Sequence, residues 1–254
     1  MARPKAVAHE DRLSLVEHLD ELRSWLIVSA TVVGLALALC FWQNHMLLEI
    51  ARGPLPDGHE RLLTLGITEP FMTTITISAY GAILLSMPII LYQLYAFVLP
   101  AFSDRERRVV QPLLLMIPLL TIAGVVFAYF VVMPAATKFL LNFNDHQFNI
   151  QVRARDYYSF LGTTELAVAL VFQMPVGILA ATRLGLVTPR QLSKNRRYAY
   201  LAISVVAAAL PGVDPVSMLI EMVPLLVLYE ISILLARAFG TPRGAGLGEP
   251  AQQT

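Results

Sequence analysis

Residues 72–99 read MTTITISAYGAILLSMPIILYQLYAFVL and contain no Asp, Glu, Lys or Arg in 28 consecutive positions. A helix of about 20 residues, rising about 1.5 Å per residue, is long enough to cross the roughly 30 Å hydrocarbon core of a bilayer. This stretch therefore predicts a membrane-spanning helix.

The composition of the whole chain agrees with this interpretation. The 254 residues are 56% hydrophobic and only 15% charged, whereas soluble domains are about 25% charged. All 19 Lys and Arg lie outside the long apolar runs, and only Glu165, Glu221 and Glu230 of the 18 acids lie within them. The sequence therefore predicts an all-α polytopic membrane protein.

Hydropathy predicts six spans, and the distribution of basic residues predicts their orientation. The spans are 25–42, 72–99, 112–133, 157–182, 198–210 and 215–236. The fifth is short, because its 13 residues reach only about 20 Å. Segments on the side of the two termini hold 14 Lys and Arg, and the alternate loops hold 5. Both termini are therefore predicted to be cytoplasmic.

This topology divides the chain into three predicted parts. Residues 1–24 form a cytoplasmic amphipathic segment, residues 25–236 form the six-helix transmembrane domain, and residues 237–254 form a disordered cytoplasmic tail. The tail is rich in Gly, Pro and Gln, which is a composition that cannot bury enough apolar surface to fold.

The sequence lacks the motifs that are typical of several classes of function. The sequence has no phosphate-binding glycine loop, no His-Glu-x-x-His and no serine nucleophile elbow. Its single Cys40 excludes an intrachain disulfide framework and a cysteine metal site. With a net charge of +1, the chain has no large positive potential that would attract nucleic acid. We expect no enzyme activity, no cofactor, no metal site and no nucleic-acid partner.

The segment before the first span carries three carboxylates at helical spacing. It reads SLVEHLDELRSWL over 14–26, and Glu17, Asp20 and Glu21 share one face of the predicted helix. The face is either solvated or receives a cationic ligand. The loop PAFSDRERR over 100–108 repeats the pattern, since Glu106 lies there among three arginines. Two acidic sites on one membrane side could hold a pair of guanidinium groups through bidentate bonds.

Polar residues inside the predicted spans are a second set of candidates. Glu165 and Gln173 lie in the fourth span, and Glu221 and Glu230 lie nine residues apart in the sixth. Such groups are costly in a membrane and usually face protein or water. A proton relay, an ion site and a polar contact between helices are all open for them.

At these motifs the chain resembles the TatC family, the multispanning receptor of the twin-arginine protein translocase. The similar segments are HLDELRSWL (18–26), TEPF (68–71), MPIILYQLYAFVLPAFSDRERR (87–108), AYFVVMP (128–134), FQMP (172–175) and PGVDP (211–215). The resemblance covers about residues 10–237. It departs from the family at Gln173, where many relatives carry Glu, and at Tyr95, where Trp is usual. Expected polar positions near the last two spans hold Ala208, Pro211 and Met218.

The resemblance implies a cup-like helical bundle in the bacterial cytoplasmic membrane that binds signal peptides with consecutive arginines. It implies single-span TatA-like and TatB-like partners, self-association in a receptor complex, and export of folded proteins driven by the proton-motive force. The residues implied to contact or support the arginine pair are Glu21, Arg23, Phe97 and Glu106. Pro54 and Asp214 fall at outer-loop positions that the family uses.

Two other functions remain open from the residues. A proton-coupled small-solute transporter could use Glu165, Glu221 and Glu230, although the two halves of the chain show no convincing repeat. A structural scaffold that recruits single-span partners is the third possibility. Peptide binding separates the scaffold from the receptor, and solute uptake identifies the transporter.

Overall fold

The fold was obtained as a computed structural model of the chain. The structure describes residues 10–56, 62–98, 104–148, 150–183, 185–211 and 214–239, with side chains described in 23–94 and 115–238 of those ranges. Within these ranges the backbone forms helices and no strand, apart from an isolated bridge between Leu63 and Arg153. The predicted all-α class is therefore confirmed.

The described helices follow one another along the chain with short connections. They are α1 (Glu10–Trp42), α2 (Asn44–Arg52), α3 (Glu69–Val98), α4 (Asp104–Phe127), a π-helical turn (Ala128–Val132), α5 (Met133–Asn142), α6 (Ala154–Val171), α7 (Met174–Arg183), α8 (Pro189–Lys194), α9 (Arg196–Ala209) and α10 (Pro215–Phe239).

Five segments of the described chain are long and apolar enough to cross a membrane. They are Arg23–Trp42, Glu69–Leu94, Leu115–Asn142, Ala154–Arg183 and Pro215–Ala238. Helix α1 continues without a break from the predicted cytoplasmic segment into the first span. The third span runs through the π-helical turn into α5, and so extends beyond the predicted end at residue 133. Multiple membrane spans are thus supported by length and composition.

The predicted fifth span coincides with α9, which has only 14 residues. At about 1.5 Å per residue this helix reaches about 21 Å, against about 30 Å of hydrocarbon. Its length keeps it out of the five spans, so the count of six stays a prediction. The cytoplasmic orientation of the termini and the cup-like shape also stay predictions.

The fourth span is two helices rather than one. Helix α6 ends at Val171 and α7 begins at Met174, with Phe172 and Gln173 between them. Pro175 explains the break, because it has no N–H to donate to the carbonyl of Val171 four residues earlier. Gln173, which sequence periodicity places on the same helix as Glu165, therefore lies at a break in the backbone.

Two glycines allow the central helices to approach closely. A Cβ on Gly124 of α4 would lie 2.8 Å from the Cα of Ala169 on α6, and a Cβ on Gly162 of α6 would overlap the ring of Tyr80 on α3. Helix α6 is thus packed against both α3 and α4, and it is the centre of the first half of the bundle.

Contacts between helix ends define two ends of the bundle. The outer end is the end that holds α2, the start of α3 and the start of α6. The inner end is the end that holds α8 and the end of α10. Both names follow the predicted topology. A buried cluster at the outer end joins Ala51, Ile77, Met133, Tyr157 and Leu161. Another cluster joins α9 to α10 through Ile203, Ala207, Leu225, Tyr229 and Ile233.

Candidate functional site

The residues predicted to bind a peptide fall on three helices near one end of the bundle. Glu21 and Arg23 are in the first half of α1, Phe97 is next to the last residue of α3, and Glu106 is in the first turn of α4. The side chain of Arg23 is exposed. The side chains of Glu21, Phe97 and Glu106 lie outside the described part of the structure, so their contacts are not described.

The outer end is joined by an ion pair that sequence reasoning missed. Arg153 donates from Nε to Glu69 Oε1 at 2.7 Å and from Nη2 to Glu69 Oε2 at 3.2 Å. Glu69 Oε2 also accepts the backbone N–H groups of Leu65 and Gly66. The hydrogen bond to Glu69 raises the pKa of Arg153, so this guanidinium stays charged.

The position of Glu69 explains these bonds. It is the first residue of α3, where backbone N–H groups are unpaired and a carboxylate is favoured by the helix dipole. Arg153 is the residue just before α6, and backbone bonds between residue 63 and residues 152 and 154 hold the two outer loops side by side. The sequence feature that could have identified Glu69 is its place in the TEPF motif, as an acid at the start of a helix.

Pro54 is buried and forms part of a second connection at the outer end. Its carbonyl accepts a hydrogen bond from Thr137 Oγ1 at 3.1 Å, which links the first outer loop to α5. Two tyrosine hydroxyls satisfy carbonyls at the end of α2: Tyr129 donates to Ile50 O at 2.6 Å and Tyr157 donates to Ala51 O at 2.8 Å. Pro54 thus has a structural contact, and Tyr129, Thr137 and Tyr157 are partners not predicted from the sequence.

Glu165 lines a cavity of about 390 Å³ formed by α2, α3, α4, the π-helical turn and α6. The residue is 9% exposed, and the other lining side chains are apolar or aromatic, with Tyr80 and Tyr129 among them. Of the three acids that the transporter hypothesis would combine, only Glu165 lines this cavity. The cavity therefore offers one carboxyl group on a wall of apolar and aromatic side chains.

Gln173 connects the break in the fourth span to α4. Its Nε2 donates to Thr121 Oγ1 at 2.9 Å and to Ile117 O at 3.3 Å. Its buried Oε1 has no hydrogen-bond partner among the described residues, and the side chain borders a second cavity of about 240 Å³. The amide is therefore a polar contact between helices.

Asp214 lies at the start of α10 and is 3% exposed. Its Oδ1 accepts the backbone N–H of Ser217 at 2.8 Å, which is the arrangement of a helix N-cap. In the described chain, Asp214 Oδ2, Ser217 Oγ and Glu221 Oε1 are all buried without a partner. Ser217 was not predicted from the sequence, because a serine within an apolar run carries no signal of its own.

Glu230 is paired, in contrast to Glu221 on the same helix. Its Oε2 accepts from Arg196 Nη2 at 2.6 Å and its Oε1 accepts from Tyr200 Oη at 2.6 Å. The side chains of Arg196 and Glu230 are 45% and 36% exposed, so the pair lies at the surface of the inner end. The two acids of the sixth span thus face different surroundings, as their nine-residue separation predicts.

Within the described ranges, no group of three or more His, Cys, Asp or Glu is arranged to hold a metal ion. The polar groups instead make contacts between helices, at the outer end, at the inner end and at the break in the fourth span. The arrangement therefore holds the helices of the bundle together at these three places.

Known proteins provide an independent test of the resemblance. The family described as Sec-independent protein translocase protein (TatC) matches residues 17–224. The chain is 35% identical to TatC of Carboxydothermus hydrogenoformans over 90% of this chain and 95% of that one. It is 36% identical to TatCy of Bacillus subtilis over 90% of each chain.

A solved structure agrees with the sequence relatives. The crystal structure of the twin-arginine translocase receptor TatC in DDM superposes with a TM-score of 0.75 at 34% identity, covering 88% of this chain and 99% of that chain. Sequence and fold thus agree over nearly the whole chain. The chain belongs to the TatC family of Sec-independent protein translocase proteins, and it is a multi-pass membrane component of a protein translocase rather than a classical enzyme.

Proposed function

We propose that this chain is the receptor subunit of a twin-arginine translocation system in a bacterial cytoplasmic membrane. In this role it binds signal peptides with consecutive arginines at the cytoplasmic side. It then works with TatA-like and TatB-like single-span proteins, and with further copies of itself, to export folded cargo using the proton-motive force. Both termini are cytoplasmic in this proposal.

One observation carries the proposal: four family positions lie near the same end of three neighbouring helices. Helix α1 packs along α3, and only five residues separate α3 from α4. Since α1 and α3 run in opposite directions, the first half of α1, the end of α3 and the start of α4 belong to one side of the bundle. Glu21 and Glu106 are therefore close to one another in the topology, although they are 85 positions apart.

The chemistry of the ligand follows from these two acids. Each arginine presents a planar guanidinium that matches a carboxylate in a bidentate pair. A lysine at the same position offers a point charge and no planar fork. Two carboxylates on one side of the bundle therefore favour Arg-Arg over Lys-Lys, with Arg23 and Phe97 as supporting residues.

The test measures binding of a fluorescent twin-arginine signal peptide to the purified full-length protein in lipid nanodiscs. Glu21→Ala or Glu106→Ala is expected to weaken binding about 10-fold or more, because each removes charge-assisted hydrogen bonds of about 1.5–3 kcal/mol. The residual binding of an Arg-Arg→Lys-Lys peptide is expected to change little in either variant.

Glu49→Gln is the control, since it removes one exposed carboxylate from α2 at the outer end, away from the predicted peptide site. It is expected to leave the preference for Arg-Arg intact. Equal loss of both peptides in the Glu21 and Glu106 variants, or no loss, would remove the arginine-recognition role. If the wild type shows no preference for the Arg-Arg peptide, the assay is repeated with a TatB-like partner added. A second result without preference rejects the receptor function.

A further inference from the structure

Three polar residues form a buried stripe at the start of α10. Asp214, Ser217 and Glu221 are spaced by three and four positions, which places them on one face of the helix. Side chains at these spacings have Cβ atoms about 5–6 Å apart. Ser217 therefore lies between two carboxyl groups.

The stripe is deeply buried. The residues are 3%, 0% and 2% exposed, in the order Asp214, Ser217 and Glu221. Thr164 Oγ1 donates to the carbonyl of Pro211 at 2.9 Å, so the turn before α10 lies against the middle of α6. Thr164 is ten residues, or about 15 Å, along α6 from its first residue. The stripe is thus recessed into the bundle, because α9 is too short to bring the turn to the outer surface.

The stripe contains three oxygen atoms without a partner in the described chain: Asp214 Oδ2, Ser217 Oγ and Glu221 Oε1. The other Asp214 oxygen is occupied by the Ser217 backbone N–H. No Lys, Arg or His of the described chain pairs with either carboxyl group. Buried polar groups without partners are rare and call for an explanation.

The charged and titratable groups around α10 do not supply that explanation. Helix α10 packs against α5, the π-helical turn, α7, α8 and α9. Its Leu228 also packs in one cluster with Val168 of α6, the helix whose buried Glu165 lines the cavity described above. Tyr129 on the turn is bonded to Ile50 O, and Lys138 on α5 is exposed. The remaining groups lie toward the inner end: Arg183, Arg190, Lys194, Arg196, Arg197, Tyr198, Tyr200, Tyr229, Glu230 and Arg237.

Two ionised carboxylates in such a place would be very unfavourable. A buried carboxylate without a cation takes up a proton rather than keep its charge. Two carboxyl groups that share a site do not both ionise readily. One proton is therefore the smallest change that makes the stripe stable.

We propose that Asp214, Ser217 and Glu221 form a buried proton-binding site in which Glu221 carries the proton. Glu221 O–H then donates to Ser217 Oγ, and Ser217 O–H donates to Asp214 Oδ2. These two bonds use all three unpartnered oxygens. Asp214 is the ionised member, since it accepts a backbone N–H at the positive end of the α10 dipole. The site does not depend on the proposed receptor function.

Infrared spectroscopy of the full-length protein in lipid nanodiscs tests the site directly. At pH 7, the difference spectrum of wild type minus Glu221→Gln is expected to show the carbonyl band of one protonated carboxyl group. In Ser217→Ala that band is expected to shift to higher frequency, because the acceptor is lost. Glu230→Gln is the control, and it should remove an ionised carboxylate band, since Glu230 is paired with Arg196.

Thermal unfolding provides a second readout. The melting temperature of the wild type is expected to fall at high pH, because removal of the Glu221 proton leaves two buried carboxylates in one site. Glu221→Gln should lack this fall. A difference spectrum that shows only loss of an ionised carboxylate overturns the proposal. So does a protonated band that appears only when sodium is replaced by choline, which would identify a sodium site instead.

Discussion

The acids of this protein fall into two groups that differ in position and in partners. Glu69 and Glu230 lie at opposite ends of the bundle, and each accepts hydrogen bonds from an arginine. Glu165 and Glu221 lie within spans, are 9% and 2% exposed, and have no cationic partner among the described residues. All four are glutamates, but only the first two connect elements distant in the sequence.

The difference follows from where each carboxylate lies in the bundle. At the ends, an arginine from a neighbouring loop or helix can reach a carboxylate, even at Glu69, which is only 7% exposed. In the interior an unpaired charge is expensive, so an acid there is more often functional than stabilising. We therefore expect replacement of the two groups to change stability with opposite signs.

Glu69→Ala is expected to cause the largest loss of stability. It leaves the Arg153 guanidinium without its carboxylate and removes the acceptor of the Leu65 and Gly66 N–H groups. Both outer loops then lose their connection. We expect the melting temperature in nanodiscs, followed by tryptophan fluorescence, to drop by several degrees.

Glu49→Ala is the matched control for Glu69, because Glu49 is an exposed acid at the same end of the bundle. Its melting temperature should equal that of the wild type. An equal drop in both variants would mean that net charge at the outer end, rather than the ion pair, determines the effect.

Glu165→Leu is expected to change stability in the opposite direction. Leucine removes a buried carboxyl group from an apolar cavity wall and keeps a similar volume. We expect the free energy of unfolding to rise by on the order of 1 kcal/mol, and Glu165→Gln to be nearly neutral. Denaturation in mixed micelles measures both. A clear loss of stability in Glu165→Leu would show that Glu165 has a favourable partner.

Glu230→Gln is expected to have the smallest effect. The amide can still accept the hydrogen bond from the Tyr200 hydroxyl, and the lost ion pair with Arg196 is partly exposed. Such pairs contribute about 0–1 kcal/mol, and less at high salt. A double-mutant cycle with Arg196→Met at low and high salt measures the coupling. A coupling energy that is large and insensitive to salt would show that the Arg196–Glu230 pair behaves as a buried ion pair instead.

Much of the fold could be predicted from residue patterns. The long apolar runs locate five spans, because a helix that faces lipid must be apolar over its whole length. The resemblance at motifs such as PGVDP and FQMP is confirmed by the family match over 17–224. Pro175 explains the break after Val171, yet Pro88, Pro118 and Pro224 lie within continuous helices. Proline alone does not decide where a helix divides.

The candidate site was less predictable. Pro54, Asp214 and Glu230 were named from the sequence, but their partners Thr137, Ser217 and Arg196 depend on which helices meet. Glu69 and Arg153 are 84 positions apart, and no local pattern relates them. The peptide-contacting roles of Glu21, Arg23, Phe97 and Glu106 stay predictions.

By itself, the sequence determined that this chain is helical, that it crosses a membrane several times, and which acids lie inside the apolar runs, because hydropathy and helical rise act locally. Only the tertiary structure decided which of those acids have a cation and which do not. Pairing depends on distances between side chains from different helices, and these are set by packing features such as Gly124 against Ala169 and the short α9. A one-dimensional pattern does not contain those distances.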